Sequence, residues 1–312
     1  MKIGIPKGLL YCKYHVLAEE FFQELGCEII TSEDTNKNIL NLGVKYAVDD
    51  ACLPIKIFHG HVASIKDKCD LIFVPRIMRL EDREYICPKF CGLPEMIINS
   101  IPNMPPITME PIYANDSKVF HKYIYKVGKM VTNNKKKIRE AYLKALDKQR
   151  KYESGINDED YEMKIALIGH PYNVQDNFVN MNIKKKLNKS GVGVITEEFV
   201  NKSEIDKKVK ELYKKPFWTF ARNSYGSSVY LSQNKKVDGI IYISSFACGI
   251  DSVVIELIKE KVRDFPFLVL KVDEQTGQGG FDTRVEAFVD MIERRKKFED
   301  NISPSRERIH CS

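Results

Sequence analysis

Eight cysteines, at positions 12, 27, 52, 69, 87, 91, 248 and 311, are the residues best suited to chemistry. A chain of a reducing compartment rarely spends cysteines on disulfides, so clusters of them read as metal or redox sites. No C-x-x-C spacing occurs, which argues against a zinc ribbon. Local context separates the eight. Cys52, Cys87 and Cys248 stand in Asp50-Ala-Cys52-Leu-Pro54, Ile86-Cys87-Pro88 and Ala247-Cys248-Gly249. Proline and glycine let a thiolate project from a tight turn and leave backbone N–H groups turned toward it. Three such thiolates suit an iron–sulfur cluster, whose iron prefers soft sulfur ligands, and leave one iron open to water or substrate. The competing reading makes each cysteine a small buried hydrophobe. That reading fits Cys27 and Cys69, in and just before strand patterns. Cys311 belongs to the tail. Cys12 and Cys91 stay open between ligand and packing residue.

Further candidates surround these. Lys56, His59 and His61 follow Cys52 on one helical pattern, and Lys56 and His59 are spaced to share a face. They are suited to donate hydrogen bonds to cluster sulfides or to relay protons. The alternative is a helix ended by Gly60 with surface histidines. Asp273-Glu-Gln-Thr-Gly-Gln-Gly-Gly280 links a strand to a helix, and its glycines let the backbone approach an anion. Glu274 and Thr276 are candidates to line a cluster cavity or touch substrate; a tight β–α turn explains them equally. The spacing matches neither a Walker A loop nor G-x-G-x-x-G, so nucleotide hydrolysis by this chain is rejected. Ser244-Ser245 lacks a nucleophile-elbow pattern.

The elements that must position these residues alternate. Strand patterns run over Lys2–Ile5, Cys27–Thr31, Lys45–Val48, Leu71–Pro75 and Ile107–Met109 in the first half. Helical patterns cover Tyr11–Leu25, Pro54–Ile65 and Pro94–Asn99. A long helical pattern over Ser117–Tyr152 has a break near Thr132-Asn-Asn134. The second half repeats the alternation: strand Lys164–Ile168, helix Asp176–Lys189, strand Gly193–Thr196, helix Ser203–Lys214 and a helical stretch Phe217–Gln233. Strand Gly239–Ser244, helix Asp251–Lys261, strand Phe267–Val272 and helix Thr283–Lys297 follow. This order implies an α/β protein with parallel sheets: two Rossmann-like domains, residues 1–115 and 161–300, joined by a helical segment, 116–160, with a tail at 301–312. Cys52, Cys87 with Cys91, and Cys248 then fall beyond the carboxyl ends of strands, where open α/β sheets build their sites.

Length and composition bound the function. The 312 residues include 43% hydrophobic ones, which excludes disorder, collagen and a disulfide miniprotein. The net charge of +6 is local: residues 116–151 hold twelve Lys and Arg against three acids, so the remainder is slightly acidic. A solvated helix face explains this better than nucleic acid, because base-stacking motifs are missing. The apolar runs are strand-length, so no membrane span is expected. Met1–Ile5 reads as a strand and not a signal peptide, which places the protein in the cytoplasm.

Several stretches carry a family resemblance. Asp50-Ala-Cys-Leu-Pro-Ile-Lys-Ile-Phe-His-Gly-His61, Tyr85-Ile-Cys-Pro-Lys-Phe90, Phe246-Ala-Cys-Gly-Ile-Asp-Ser252 and Asp273–Gly280 together resemble the 2-hydroxyacyl-CoA dehydratase/benzoyl-CoA reductase superfamily. They are most similar to its short branch of acyl-CoA dehydratase activase-related proteins, as are Ile3-Gly-Ile-Pro-Lys-Gly-Leu-Leu-Tyr11 and Gly169-His-Pro-Tyr-Asn173. The resemblance runs from residue 1 to about residue 298. It implies Rossmann-like domains that hold 4Fe–4S or double-cubane clusters. It also implies an ATP-hydrolysing activase of the acetate/sugar-kinase type as electron donor. Carried over, the ligands are Cys52, Cys87 and Cys248. Cys91 and Cys12 stand where the branch suggests an apolar and an aromatic residue; they are either incidental or part of a larger cluster. Catalytic members are longer and often heterodimeric, so this chain is expected to be one subunit, or to serve a substrate other than an acyl-CoA thioester, with a homodimer or heterodimer as its assembly. The implied function is an iron–sulfur oxidoreductase component of an anaerobe, acting in reduction or radical dehydration of a difficult substrate such as an acyl-CoA. The alternative is a non-catalytic iron–sulfur or zinc-binding subunit.

Overall fold

Short β-branched runs separated by amphipathic stretches form parallel strands with helices laid across them, so the protein is α/β. The computed structural model describes residues 1–306, with side chains through residue 298. The first half contains β1 (Lys2–Ile5), α1 (Tyr11–Glu24), β2 (Glu28–Thr31), α2 (Lys37–Tyr46), α3 (Leu53–Ile65), β3 (Leu71–Ile72) and β4 (Arg76–Arg79). It closes with α4 (Pro88–Cys91), α5 (Leu93–Ser100) and β5 (Pro111–Tyr113). A hairpin of α6 (Ser117–Lys129) and α7 (Lys135–Lys151) follows. The second half begins with β6 (Met163–Gly169), α8 (Pro171–Val174), α9 (Ile183–Lys189), β7 (Val192–Thr196), α10 (Lys202–Lys210) and α11 (Thr219–Gln233). It ends with β8 (Gly239–Ser245), α12 (Gly249–Lys261), β9 (Phe267–Val272) and α13 (Gln278–Arg306).

Three parallel sheets result, ordered β2-β1-β3, β4-β5 and β7-β6-β8-β9. In the largest, alternate residues feed opposite cores. Ile165, Leu167, Ile241 and Ile243 pack with Phe281 and Val285 of α13. Ala166, Ile168, Ile240 and Tyr242 pack with Tyr225, Val229, Val254 and Ile258 of α11 and α12. Ile39, Leu40, Leu53 and Ile57 of α2 and α3 enter the first of these cores, so the two halves are tied through shared apolar packing.

That tie depends on a glycine crossing. A Cβ on Gly43 would stand 2.0 Å from Lys56 O, and one on Gly60 would stand 1.9 Å from Ile39 O. Only hydrogen at both positions lets α2 and α3 approach this closely. Gly60 therefore lies inside α3 and does not end it.

The basic hairpin is divided at the expected place, because Asp116 and Asn134 cap α6 and α7 by accepting backbone N–H bonds. α7 buries Ile138, Ala141, Tyr142 and Ala145. Lys144 and Lys148 meet Glu24 and Glu20 of α1 at 2.7 and 2.6 Å. Part of the basic charge thus answers the acidic face of α1.

Several boundaries differ from the sequence expectation. Lys45–Val48 is not a strand: Lys45 and Tyr46 end α2, whose start is fixed by Asn36 capping Asn38 and Ile39, and Val48 is exposed. Packing of Ile39, Leu40 and Gly43 on α3 outweighs the local β preference. Of Leu71–Pro75, only Leu71 and Ile72 form a strand, and β4 follows immediately. Ile107 makes a single bridge to Ile72, and the strand is at Pro111–Tyr113. The helix expected from Asp176 begins only at Ile183, because Met181 and Asn182 take positive φ. The last helix begins at Gln278, earlier than expected, and runs to Arg306, into the expected tail. Cys311 lies outside the described residues. Among the described residues no helix is long and apolar enough to cross a membrane.

Candidate functional site

Cys52, Cys87 and Cys248 each occupy the residue before the first turn of a helix: α3, α4 and α12. Pro54 and Pro88 stand in the first turns of the first two of these, where a missing N–H costs nothing. Ala247 takes φ +60, a left-handed conformation costly for alanine, and so turns Cys248 off the end of β8. The Cys248 sulfur accepts from the Ile250 and Asp251 N–H groups, and the Cys87 sulfur from that of Lys89. Helix-start N–H groups favour negative sulfur. Burial raises the Cys87 thiol, and burial with the neighbouring Asp251 carboxylate pushes Cys248 up to about 12.

Cys52 lies near enough to Cys87 and Cys248 to raise both thiols, an effect smaller than that of burial. Burial raises the Tyr172 hydroxyl well above its usual range, and Cys52, Cys87, Asp251 and Cys248 add to the shift. Cys52 follows a helix and not a strand, and Cys87 follows β4; only Cys248 lies after the strand assigned to it from sequence.

Behind Tyr172 runs a buried polar chain. Its hydroxyl lies 2.9 Å from His170 Nδ1. His170 Nε2 is 3.5 Å from Asp251 Oδ1, which accepts from the Tyr242 hydroxyl at 2.7 Å. Asp251 is fully buried, and its Oδ2 has no hydrogen-bond partner among the described residues. One ligand atom from each of His170, Cys248 and Asp251 lies within 4.8 Å of the other two, an N, S, O group able to chelate a metal ion. Sequence reasoning gave these partners no role. Their signal was positional: His170 follows β6 and Cys248 follows β8, the strands at which the order of the large sheet reverses. Gly169 (φ +143) belongs to the same turn, since a Cβ there would stand 2.3 Å from Ile243 O.

The other candidates fall into separate places. Lys56, almost wholly buried, reaches Glu274 at 2.5 Å, and this bond holds the Glu274 carboxyl below its usual range. Thr276 closes the turn after β9 by bonding Asp273 N and Oδ1. His59 is buried, with Nδ1 2.7 Å from Ile55 O and a further bond to the Met96 backbone; burial lowers it. His61 is buried between Ser32 Oγ at 2.8 Å and Thr35 Oγ1 at 3.0 Å, and burial lowers it to about 4. Both histidines sit inside the protein, not at the surface. Cys91 ends α4, with its sulfur 3.8 Å from Ile77 O. Cys12 bonds Leu9 O and lines a polar cleft with Lys7, Thr35 and Asp176; burial pushes it up to about 12.

Residues 2–200 match the family described as CoA enzyme activase uncharacterised domain, and residues 111–292 match the 2-hydroxyglutaryl-CoA dehydratase D-component. The chain belongs to the 2-hydroxyacyl-CoA dehydratase and activase-related superfamily. It is therefore a dehydratase-family component, and the site described above lies within the matched residues of that superfamily. Among curated proteins nothing matches. Two solved structures are similar at low scores. One is a Mn-bound periplasmic metal-binding protein from Candidatus Liberibacter asiaticus, 10% identical, covering 94% of this chain and 99% of its own, with TM-score 0.28. The other is the glucosamine N-acetyltransferase region of a fungal multi-domain β-N-acetylglucosaminidase, 10% identical, covering 83% of this chain and 37% of its own, with TM-score 0.18. Neither score is high enough to carry a fold.

Proposed function

We propose that this chain is the iron–sulfur component of a two-part reductive system. Cys52, Cys87 and Cys248 hold the cluster. An ATP-dependent activase of the acetate/sugar-kinase type supplies low-potential electrons for reduction or radical dehydration of a substrate such as an acyl-CoA. Residues 1–115 and 161–300 act as two Rossmann-like domains that each contribute ligands, and 116–160 joins them. A homodimer or a heterodimer completes the assembly.

The observation that carries this reading is that the three thiols each stand at a helix start, with Cys52 and Cys87 packed on the same core as Tyr172, and Cys248 beside the His170 ring that Tyr172 bonds. The donor set fits the group: soft thiolates suit iron, and the N–H groups of Lys89, Ile250 and Asp251 offset negative charge on sulfur. When bound, a cluster supplies single electrons of low potential. The protein's own part is ligation, burial and orientation. Tyr172 and His170 hold a proton in their mutual hydrogen bond beside the thiols.

A second reading rests on one distance. His170, Cys248 and Asp251 are close enough to chelate a single ion such as zinc. Anaerobic reconstitution with iron and sulfide separates the two. Several irons with matching sulfide, and a broad band near about 400 nm, support the cluster. One colourless ion per chain and no sulfide support the second reading. Single-electron acceptance from an activase, dependent on ATP, tests the rest.

A further inference from the structure

We propose that the cavity beneath α1 is a binding site for a small uncharged apolar ligand, a single six-membered ring or a chain of about six to eight carbons. The proposal does not depend on the cysteine site.

The cavity, partly open to solvent, holds about 200 Å³. Its size is comparable to that of an engineered cavity of about 150 Å³ that takes up benzene. It lies beyond the carboxyl ends of β1 and β3, bounded by Pro6 and Phe73. In the sheet order β2-β1-β3 the chain reverses between these two strands. Such a switch point is where open α/β sheets form ligand crevices.

The lining decides the ligand class. Phe21 and Phe22 of α1, Phe58 of α3, and Phe120 and Tyr123 of α6 supply aromatic walls. Water needs two to four polar partners to settle in a cavity, and these walls offer almost none. The charged side chain in the lining, Glu81, is already paired with Lys202 at 2.5 Å. His15 spends Nδ1 on Tyr11 O. No unspent charge therefore recommends an ionic ligand.

A second observation concerns packing. Leu17, Ala18, Phe73, Leu80 and Phe120 pack against a separate core in the first half of the chain, around Ile3, Phe22 and Ile72, yet all are only half-buried, and all line this cavity. Protein interiors normally pack at the density of organic crystals. Apolar surface left on five core-packed side chains around one cavity is surface shaped for an apolar guest.

The test uses the full-length chain with indole and toluene as probes, followed by titration calorimetry and thermal unfolding. Saturable binding of one indole per chain, with a raised melting temperature, is expected. Ala18→Phe and Ala114→Leu, which fill the cavity, should weaken indole at least tenfold while far-ultraviolet circular dichroism stays native. Wild-type protein that shows no saturable binding overturns the proposal, as do folded filling variants that bind like wild type. Should both variants fail to fold, wild-type crystals under xenon decide. Xenon between Phe22, Phe58 and Phe73 supports the site, and xenon absent from that space overturns it. None of these measurements reads iron, so the outcome is separate from that of the proposed function.

Discussion

Lys56 Nζ lies 2.5 Å from Glu274 Oε1, so an ammonium buried in α3 is neutralised by the loop that follows β9. The pair joins the first half of the chain to the second beside the Cys52 turn. Removing the acid strands a buried cation, whereas removing the lysine leaves an acid that still reaches water. Glu274→Gln should lower the unfolding free energy by about 2 kcal/mol, less than a fully buried pair would lose because Glu274 keeps some solvent. Lys56→Met should cost less. Urea unfolding at neutral pH measures both, and a Glu274→Gln loss below about 0.5 kcal/mol would show that the ammonium finds another partner.

The crossing of α2 and α3 yields a second expectation. Gly43→Ala and Gly60→Ala each drive a methyl into a backbone carbonyl, which side-chain motion cannot relieve. Each should cost at least about 3 kcal/mol, at the severe end for single substitutions. Gly92→Ala is the control, since a Cβ there meets nothing within 4 Å and φ is −95. It should change stability by less than about 1 kcal/mol.

The pH dependence follows from His61. Burial lowers its folded pKa from 6.5 to about 4, so the folded protein keeps it neutral where the unfolded chain would protonate it. The unfolded state then binds more protons between pH 6.5 and 4. The neutral ring's contribution is fully present above pH 6.5 and is lost as pH falls through that window. Stability should drop by up to about 1.4 kcal/mol per pH unit from this group. His61→Gln, which keeps partners for Ser32 and Thr35, should flatten that part of the profile. An unchanged slope in the variant would assign the acid sensitivity elsewhere.

The cysteines sort by iron content. Replacing Cys52, Cys87 or Cys248 with serine should bleach or destabilise the proposed cluster, because a hard alkoxide replaces thiolate poorly on iron. Cys27→Ser and Cys69→Ser should leave iron per chain unchanged, for Cys27 packs in the core around Ile3, Phe22 and Ile72 and Cys69 bonds Ile65 O at 3.1 Å. Cys91→Ser discriminates between cluster sizes. Unchanged iron is expected, consistent with the bond toward Ile77 O. A loss would indicate a cluster larger than a three-cysteine centre.

Much of the architecture was readable from local pattern. The strand–helix alternation, the parallel sheets and the break in the basic hairpin rest on hydrophobic period and capping residues, which act within a few positions. Cys52, Cys87 and Cys248 stood out through their proline and glycine neighbours, and these neighbours do start helices at each site. Lys45–Val48 departs from its strand pattern because its fate depends on packing against the next helix: Gly43 and Gly60 make room for contact that local β preference does not register.

The chain's chemistry was therefore determined by residue type and spacing, and its geometry by contacts between residues far apart in sequence. Reading along the chain assigned thiols to tight turns and α/β order to the elements. Only the tertiary structure packed Tyr172 on one core with Cys52 and Cys87, bonded it to His170 beside Cys248 and Asp251, and spent His61 on Ser32 and Thr35. A side chain's partners depend on which elements pack together, and burial, which sets the cost of every charge, exists only once they have.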